Sequence, residues 1–187
     1  CGVGVKIIKV TGCTAEKEFN ELFASGKWII EELIRQSPEM SVWNSSSVNT
    51  VRIPSFMNSR GFFILKPFLR SGRSGSIVDN ANRGGIFSVI DEQTGKLCTN
   101  GFDLYGKEYA MHPDSGIQFM GWQVPEWESL VEFIRTVHST VPDYPYIGWD
   151  CALSENGWVL IEGNWGQFDS ETADREGIKR KFDSLFD

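Results

Sequence analysis

Late in the chain, two apolar runs flank Ser154-Glu155-Asn156-Gly157 and carry three oxygen-bearing side chains, Asp150, Glu162 and Asn164. Asn-Gly between apolar runs signals a β-hairpin, here with arms Tyr146–Leu153 and Trp158–Asn164. Loop length decides what faces what. A three-residue loop with Gly157 in the left-handed conformation sets Asp150 across from Glu162, with Asn164 further along the same face. A two-residue loop pairs Cys151 with Glu162 instead and turns Asp150 away. We take the three-residue loop. Carboxylates opposed at about 5 Å repel each other. A hard divalent cation removes that repulsion, and two carboxylates with an amide oxygen suit Mg²⁺ or Mn²⁺. The competing reading, two solvated acids on an exposed sheet face, is weakened by the apolar residues around both.

Anion chemistry has its own candidates. The segment Arg70 to Gly85 gathers Arg70, Arg73 and Arg83 with Gly72, Gly75, Gly84 and Gly85, hydroxyls and amides. Glycines let backbone N–H groups approach an anion, and guanidinium forks match phosphate oxygens. The alternative is a flexible loop whose arginines pair with the protein's excess carboxylates. Arg52, inside the apolar strand Asn49-Thr50-Val51-Arg52-Ile53 and on the face of Thr50, needs a partner, either a structural carboxylate or a ligand. His112-Pro113-Asp114-Ser115-Gly116 lies too close in sequence for triad geometry and reads as a turn able to touch substrate. His138 ends a helix and is expected at its C-terminus or on the surface. Trp122 and Trp165 sit beside the polar motifs, where packing is the commoner role.

These side chains need positioning elements. The hairpin supplies Asp150, Glu162 and Asn164. Strand composition over Val48–Phe56, Phe62–Arg70 and Gly85–Asp91 places Arg52 and Arg70, and Asp91–Lys96 is a turn into Leu97-Cys98-Thr99. Upstream, Gly2-Val3-Gly4-Val5 leads into a strand. Thr14 caps a helix with Ala15, Phe19, Leu22 and Phe23 on one face, ending at Gly26, and Lys27–Ile34 reads as a strand. Pro125 opens a helix whose buried stripe is Trp127, Leu130, Val131, Ile134 and Val137. A last helix from about Ser170 aligns Ile178, Phe182 and Leu185. The class is α+β with a mostly antiparallel sheet.

Composition narrows the partners. A chain of 187 residues, 41% hydrophobic and without a membrane-length apolar run, has the make-up of one globular domain of one or two lobes. A formal net charge of −7 argues against nucleic acid or an anionic membrane as the main partner. Cys1, Cys13, Cys98 and Cys151 form no CxxC pair, which points to free thiols in a reducing cytoplasm.

Taken in order, these pieces resemble the ATP-grasp superfamily, most closely its sugar-transfer associated branch, with similarity also to glutamate-adding ATP-grasp ligases. The resemblance spans nearly the whole chain. It rests on Gly2-Val3-Gly4-Val5, Trp28–Ile34, Ser47–Ile53, Asn80–Gly85, His112–Gly116, Gly148-Trp149-Asp150 and Glu162-Gly163-Asn164. It implies an ATP-grasp fold with the remainder of a small lobe over residues 1–35 and a large lobe over 36–187. ATP would lie between the lobes, its phosphates under the loop of Gly2 and Gly4, its adenine held by Glu31, Glu32, Leu33 and Ile34. Asp150, Glu162 and Asn164 match ligands of Mg²⁺ (or Mn²⁺), and Arg52, Arg70, Asn80 and Arg83 fall where similar ligases contact the γ-phosphate or an acyl phosphate. The implied activity is ligation of a carboxylate to an amine or other nucleophile, in polysaccharide or sugar-conjugate synthesis. A small-molecule kinase and a non-catalytic glycan- or protein-binding module on the same fold are the alternatives. Two departures stand out: the family's upstream phosphate-binding lysine would precede Cys1, which predicts an incomplete N-terminal lobe. Gly148 stands where some ATP-grasp ligases carry an arginine, so another arginine must serve.

Overall fold

A computed structural model describes residues 11–12, 14–26, 29, 31–166 and 182–185. The Gly-rich segment with Gly2 and Gly4, the strand expected after it, and most of the expected terminal helix lie outside the described residues. The chain divides into two compact units, Cys1–Ile34 and Arg35–Asp187. In the first, Thr14 precedes helix α1 (Ala15–Ser25), which ends at Gly26, and Phe19 stacks on Phe23 at 6.1 Å. Thr14 takes the N-cap position but turns its hydroxyl back to the Thr11 carbonyl, so no side-chain cap forms. Residues 31–35, read from sequence as the end of a strand, are irregular.

The second unit is built on one eight-stranded sheet whose strand pairings are all antiparallel. Its strands are β1 (Thr50–Asn58), β2 (Gly61–Ile64), β3 (Phe68–Ser71), β4 (Ile86–Val89), β5 (Gly101–Phe102), β6 (Glu108–Tyr109), β7 (Tyr146–Ser154) and β8 (Gly157–Trp165). They run β6-β5-β4-β3-β1-β7-β8, with β2 also on β1. The single strand expected over Phe62–Arg70 is two strands, because Lys66 adopts φ 41° before Pro67 and breaks the ladder. β1 therefore pairs with β3 up to Arg52 and with β2 from Ser55 onward. Pro54 falls in that gap, where its missing N–H disrupts neither ladder.

Period-two alternation separates the faces. Val51, Ile53, Leu69, Ile86, Ile147, Trp149, Cys151 and Leu153 join Met40, Trp43, Phe119 and helix α3 in the main core. α3 (Trp127–Ser139) buries Trp127, Leu130 and Ile134 of the expected stripe and adds His138, while Val131 and Val137 are only partly buried against the core. A short helix α2 (Pro38–Ser41), unforeseen in the sequence, is capped by Ser37, whose hydroxyl accepts Met40 N–H at 3.3 Å. A smaller cluster of Phe56, Leu65, Tyr146 and Leu185 fixes the end of the chain to β1. The opposite sheet face carries Thr50, Arg52, Arg70 and Asp150.

The two histidines are interior groups. His138 lies in the last turn of α3, as expected, but is fully buried rather than at the surface. The Tyr144 carbonyl can only accept, so Nε2 donates to it at 2.8 Å. Nδ1 then accepts the Ser55 hydroxyl at 2.7 Å, and Ser55 Oγ accepts Trp149 Nε1–H at 2.8 Å. His112 donates Nε2–H to the Gly72 carbonyl at 3.1 Å and accepts Ser115 N–H at 3.3 Å. Burial pushes both imidazoles below their usual pKa, and the bonds to the two carbonyls only partly offset it. The unfolded chain takes up these protons below about pH 6.5 while the native state declines them, so each histidine removes stability as pH falls, at a limiting slope near 1.4 kcal/mol per unit. By NMR, both imidazoles are expected to titrate at lower pH than free histidine. Ordinary titration of both would disprove the buried neutral pair.

Candidate functional site

The hairpin reaches the expected register by another route. Ser154 pairs with Gly157, so only Glu155 and Asn156 lie between the arms, and Gly157 takes φ 103°. The three-residue loop is thus corrected to two residues. A register shift between Asp150 and Cys151 leaves Ile161 as an extra residue, and beyond it Glu162 stands opposite Asp150 and Asn164 opposite Gly148. A bulge re-aims the acid that a turn alone would have misplaced.

Asp150 is almost fully buried and held by two arginines. Arg52, directly opposite on β1, grips it through Nε to Oδ1 and through a terminal nitrogen to Oδ2 at 2.9 Å. Arg70, from β3, donates a terminal nitrogen to Oδ1. Burial by itself raises the Asp150 pKa, but these bonds and charges outweigh it and hold the carboxyl below its usual range. Arg70 also lies over the Phe68 ring at 5.8 Å. Its Nε is buried and has no hydrogen-bond partner. A stranded donor on a buried guanidinium is costly alone and is satisfied by an arriving anion.

Gly148 makes room for this arrangement. A Cβ there would stand 3.3 Å from an Arg52 terminal nitrogen and 3.4 Å from Arg52 Cδ. The guanidinium over position 148 therefore comes from β1, across the sheet.

A second set of bonds ties loops to the cluster. Asp79, buried, accepts Thr50 N–H at 2.9 Å and the Thr50 hydroxyl at 2.5 Å. Burial pushes its carboxyl above the usual range, against the opposing pull of Arg70 and Thr50. Asn80 starts a single 3-10 turn, Ala81–Arg83, in which Asn80 is half-buried and Arg83 exposed. Asn49, fully buried, accepts Gly72 N–H at 3.1 Å and donates to the Met40 and Asn44 carbonyls at 3.0 and 2.8 Å. Gly72 is thus pinned at its N–H by Asn49 and at its carbonyl by His112, and a Cβ there would lie 2.3 Å from Ser47 Oγ and 2.9 Å from the Val78 carbonyl. Arg73 instead pairs with Asp114 at 2.7 Å, with Ser74 N–H on the same carboxylate, and these bonds draw the Asp114 pKa down to about 2.

The structure therefore brings Arg52, Arg70, Asp150 and Glu162 together and sets Asn164 two pairs further along. Asn80 and Arg83 ride on the turn after Asp79, and Arg73 joins two loops. Glu31, Glu32 and Leu33 are exposed and Ile34 half-buried, all in the first unit. Asn49, Thr50 and Asp79 were not singled out as site residues in the sequence. Only Thr50, two residues before Arg52 in a strand, and Asp79, beside Asn80, carried a usable signal.

As a cation site, the group was tested by its donors. Asn164 donates to Glu162 Oε1 at 3.1 Å, and both side chains stand at the open end of the hairpin. At least three of the roughly four lone-pair sites of Asp150 accept from arginine. Among the described residues no three His, Cys, Asp or Glu side chains cluster as a metal nest. The oxygen set fits Mg²⁺ in kind, with Glu162 and Asn164 as the freer half and Asp150 shared with Arg52.

The model of the sugar-transfer associated ATP-grasp family matches residues 6–183. The chain belongs to the sugar-transfer associated ATP-grasp family. No curated protein and no solved structure matches it significantly. No described helix of this ATP-grasp chain is long and apolar enough to cross a membrane, and the described cysteines Cys98 and Cys151 form no disulfide.

Removing the shared carboxylate leaves two largely buried guanidinium groups without their counter-charge. Asp150→Ala is expected to cost about 3–5 kcal/mol of stability by denaturant titration, with added phosphate recovering part of it. A loss under 1 kcal/mol would mean the arginines are already neutralised elsewhere.

Proposed function

We propose that this chain is an ATP- and Mg²⁺-dependent ligase that joins a carboxylate to an amine or other nucleophile through an acyl phosphate, in polysaccharide or sugar-conjugate synthesis. The observation that carries this reading is the pair Arg52 and Arg70 converging on Asp150, with one buried arginine donor unspent and Glu162 across the hairpin. The family match supports the nucleotide half of the reading.

The chemistry follows from charge. A substrate carboxylate oxygen attacks the γ-phosphorus as the bond to the β,γ-bridging oxygen breaks and ADP leaves. The entering nucleophile then attacks the acyl carbon, loses its proton, and expels phosphate. Negative charge gathers on the transferring oxygens in the first step, where preorganised cations are most effective. Arg70, with its unpartnered Nε, is the group placed to meet that charge, and Arg52 stays locked to Asp150 by two bonds. Asp150, Glu162 and Asn164 would hold Mg²⁺, which would supply positive charge to offset that of the phosphates. Asn80 and Arg83 supply further donors from their turn, while Gly2, Gly4 and the segment Glu31–Ile34 would contact the nucleotide. No side-chain nucleophile is needed. The Cys151 thiol is buried and its pKa pushed up by that burial, so it stays protonated and inert.

The full-length protein is expected to bind ATP saturably with Mg²⁺ by calorimetry and, offered sugar acids and amino acids with hydroxylamine, to yield a hydroxamate. Arg70→Met should lower turnover about 10²–10³-fold, and Glu162→Gln should abolish the Mg²⁺-dependent ATP turnover. ATP turnover without hydroxamate would mark a kinase instead, and no ATP binding at all would leave the binding-module alternative.

A further inference from the structure

Asp79 has no role in the scheme above, yet the fold buries it beside the arginine cluster. Thr50 is the direct cross-strand partner of Arg70, and directly opposed side chains on one face stand about 5 Å apart. Asp79 accepts both the backbone N–H and the hydroxyl of that same Thr50, which brings its carboxylate within electrostatic reach of the Arg70 guanidinium. Of the positive charges around Asp79, that of Arg70 acts on it most strongly. Two arginines and two aspartates thus share one buried patch, where their formal charges cancel.

Holding the loop to β1 does not require this charge. An amide oxygen in the place of Asp79 Oδ2 could accept both Thr50 bonds. Nor does the carboxylate satisfy Arg70 fully, since the buried Nε stays without a partner. What a second buried carboxylate does near Arg70 is oppose any anion that approaches the same guanidinium.

We propose that Asp79 is a charge-setting residue of the arginine cluster, lowering the affinity of Arg70 and Arg52 for phosphate-bearing ligands so that product is released rather than retained. The inference rests on the anion-binding reading of Arg52 and Arg70. It makes Asp79 act through Arg70 and not by touching substrate.

The test is calorimetric titration of the full-length protein with inorganic pyrophosphate, metal-free, for wild type and three variants. Arg70→Met should weaken binding about tenfold or more. Asp79→Asn, which keeps the Thr50 bonds and drops the charge, should tighten it several-fold while circular dichroism and the melting temperature stay near wild type. Thr50→Val, which removes one donor that favours the charged form of Asp79, should tighten it by less. If Arg70→Met binds like wild type, the anion-binding reading itself fails. If Arg70→Met weakens binding while Asp79→Asn equals or falls below wild type, Asp79 is only a structural anchor and the inference is overturned. Should Asp79→Asn fail to fold, unchanged or weaker binding by Thr50→Val overturns it in the same way.

Discussion

The capture of one carboxylate by two guanidinium groups is the constraint around which the second unit is arranged. Taking three charges out of water costs several kcal/mol per ion, and their attraction offsets this only when the geometry is good and the hydrogen bonds are made. Here the geometry comes from three strands in fixed register: Arg52 opposite Asp150 across β1 and β7, Arg70 opposite Thr50 across β3 and β1. Because side chains alternate faces along a strand, a one-residue slip of β7 would send Asp150 into the apolar core and leave both arginines stranded. The pairing that makes the site therefore also penalises the wrong sheet.

The loops around the cluster are held with similar economy. Asn49 and His112 fix the two ends of the Gly72 peptide unit, which follows Arg70 and Ser71 directly. Where Arg70 emerges from β3 is thereby tied to α2 on one side and to the His112–Gly116 turn on the other. His112 can play this part only while neutral, since its Nδ1 must accept the Ser115 N–H. Arg73, three residues beyond Arg70, belongs to that scaffold through Asp114. Of the arginines in this Gly-rich segment, Arg70 is the one drawn into the sheet and Arg73 the one that staples loops.

The legible part of the sequence was whatever rests on local pattern. Alternation and the Asn-Gly turn identify the hairpin, and three-and-four spacing identifies α3. The opposition of Asp150 and Glu162 was inferred from a three-residue loop, whereas a two-residue loop and a bulge at Ile161 produce it. Bulges answer to packing across the sheet and leave little mark on a turn sequence. His138 was misplaced because helix position predicts a terminus but not burial, and burial here comes from Ser55 and Trp149 on distant strands. Asp79 was passed over because its importance lies in meeting Thr50, 29 residues away. Lys66, in left-handed geometry before Pro67, split a strand that composition alone joins.

Gly148 shows how one absent side chain redirects a site. With no Cβ beyond the backbone there, the Arg52 side chain packs close to position 148 and reaches Asp150 through two nitrogens at once. An arginine anchored on β7 itself would have to fold back over two residues to do the same. Arg52 instead projects from the most heavily paired strand, where β1 is bounded by β3 on one side and β7 on the other. The positive charge nearest Asp150 is therefore among the most rigidly placed in the unit, while Arg70, near the end of the shorter β3 and beside the pinned Gly72, retains the donor that Asp150 does not use. The division of labour between the two follows from topology: the central arginine orients the carboxylate, and the peripheral one has a bond left to give.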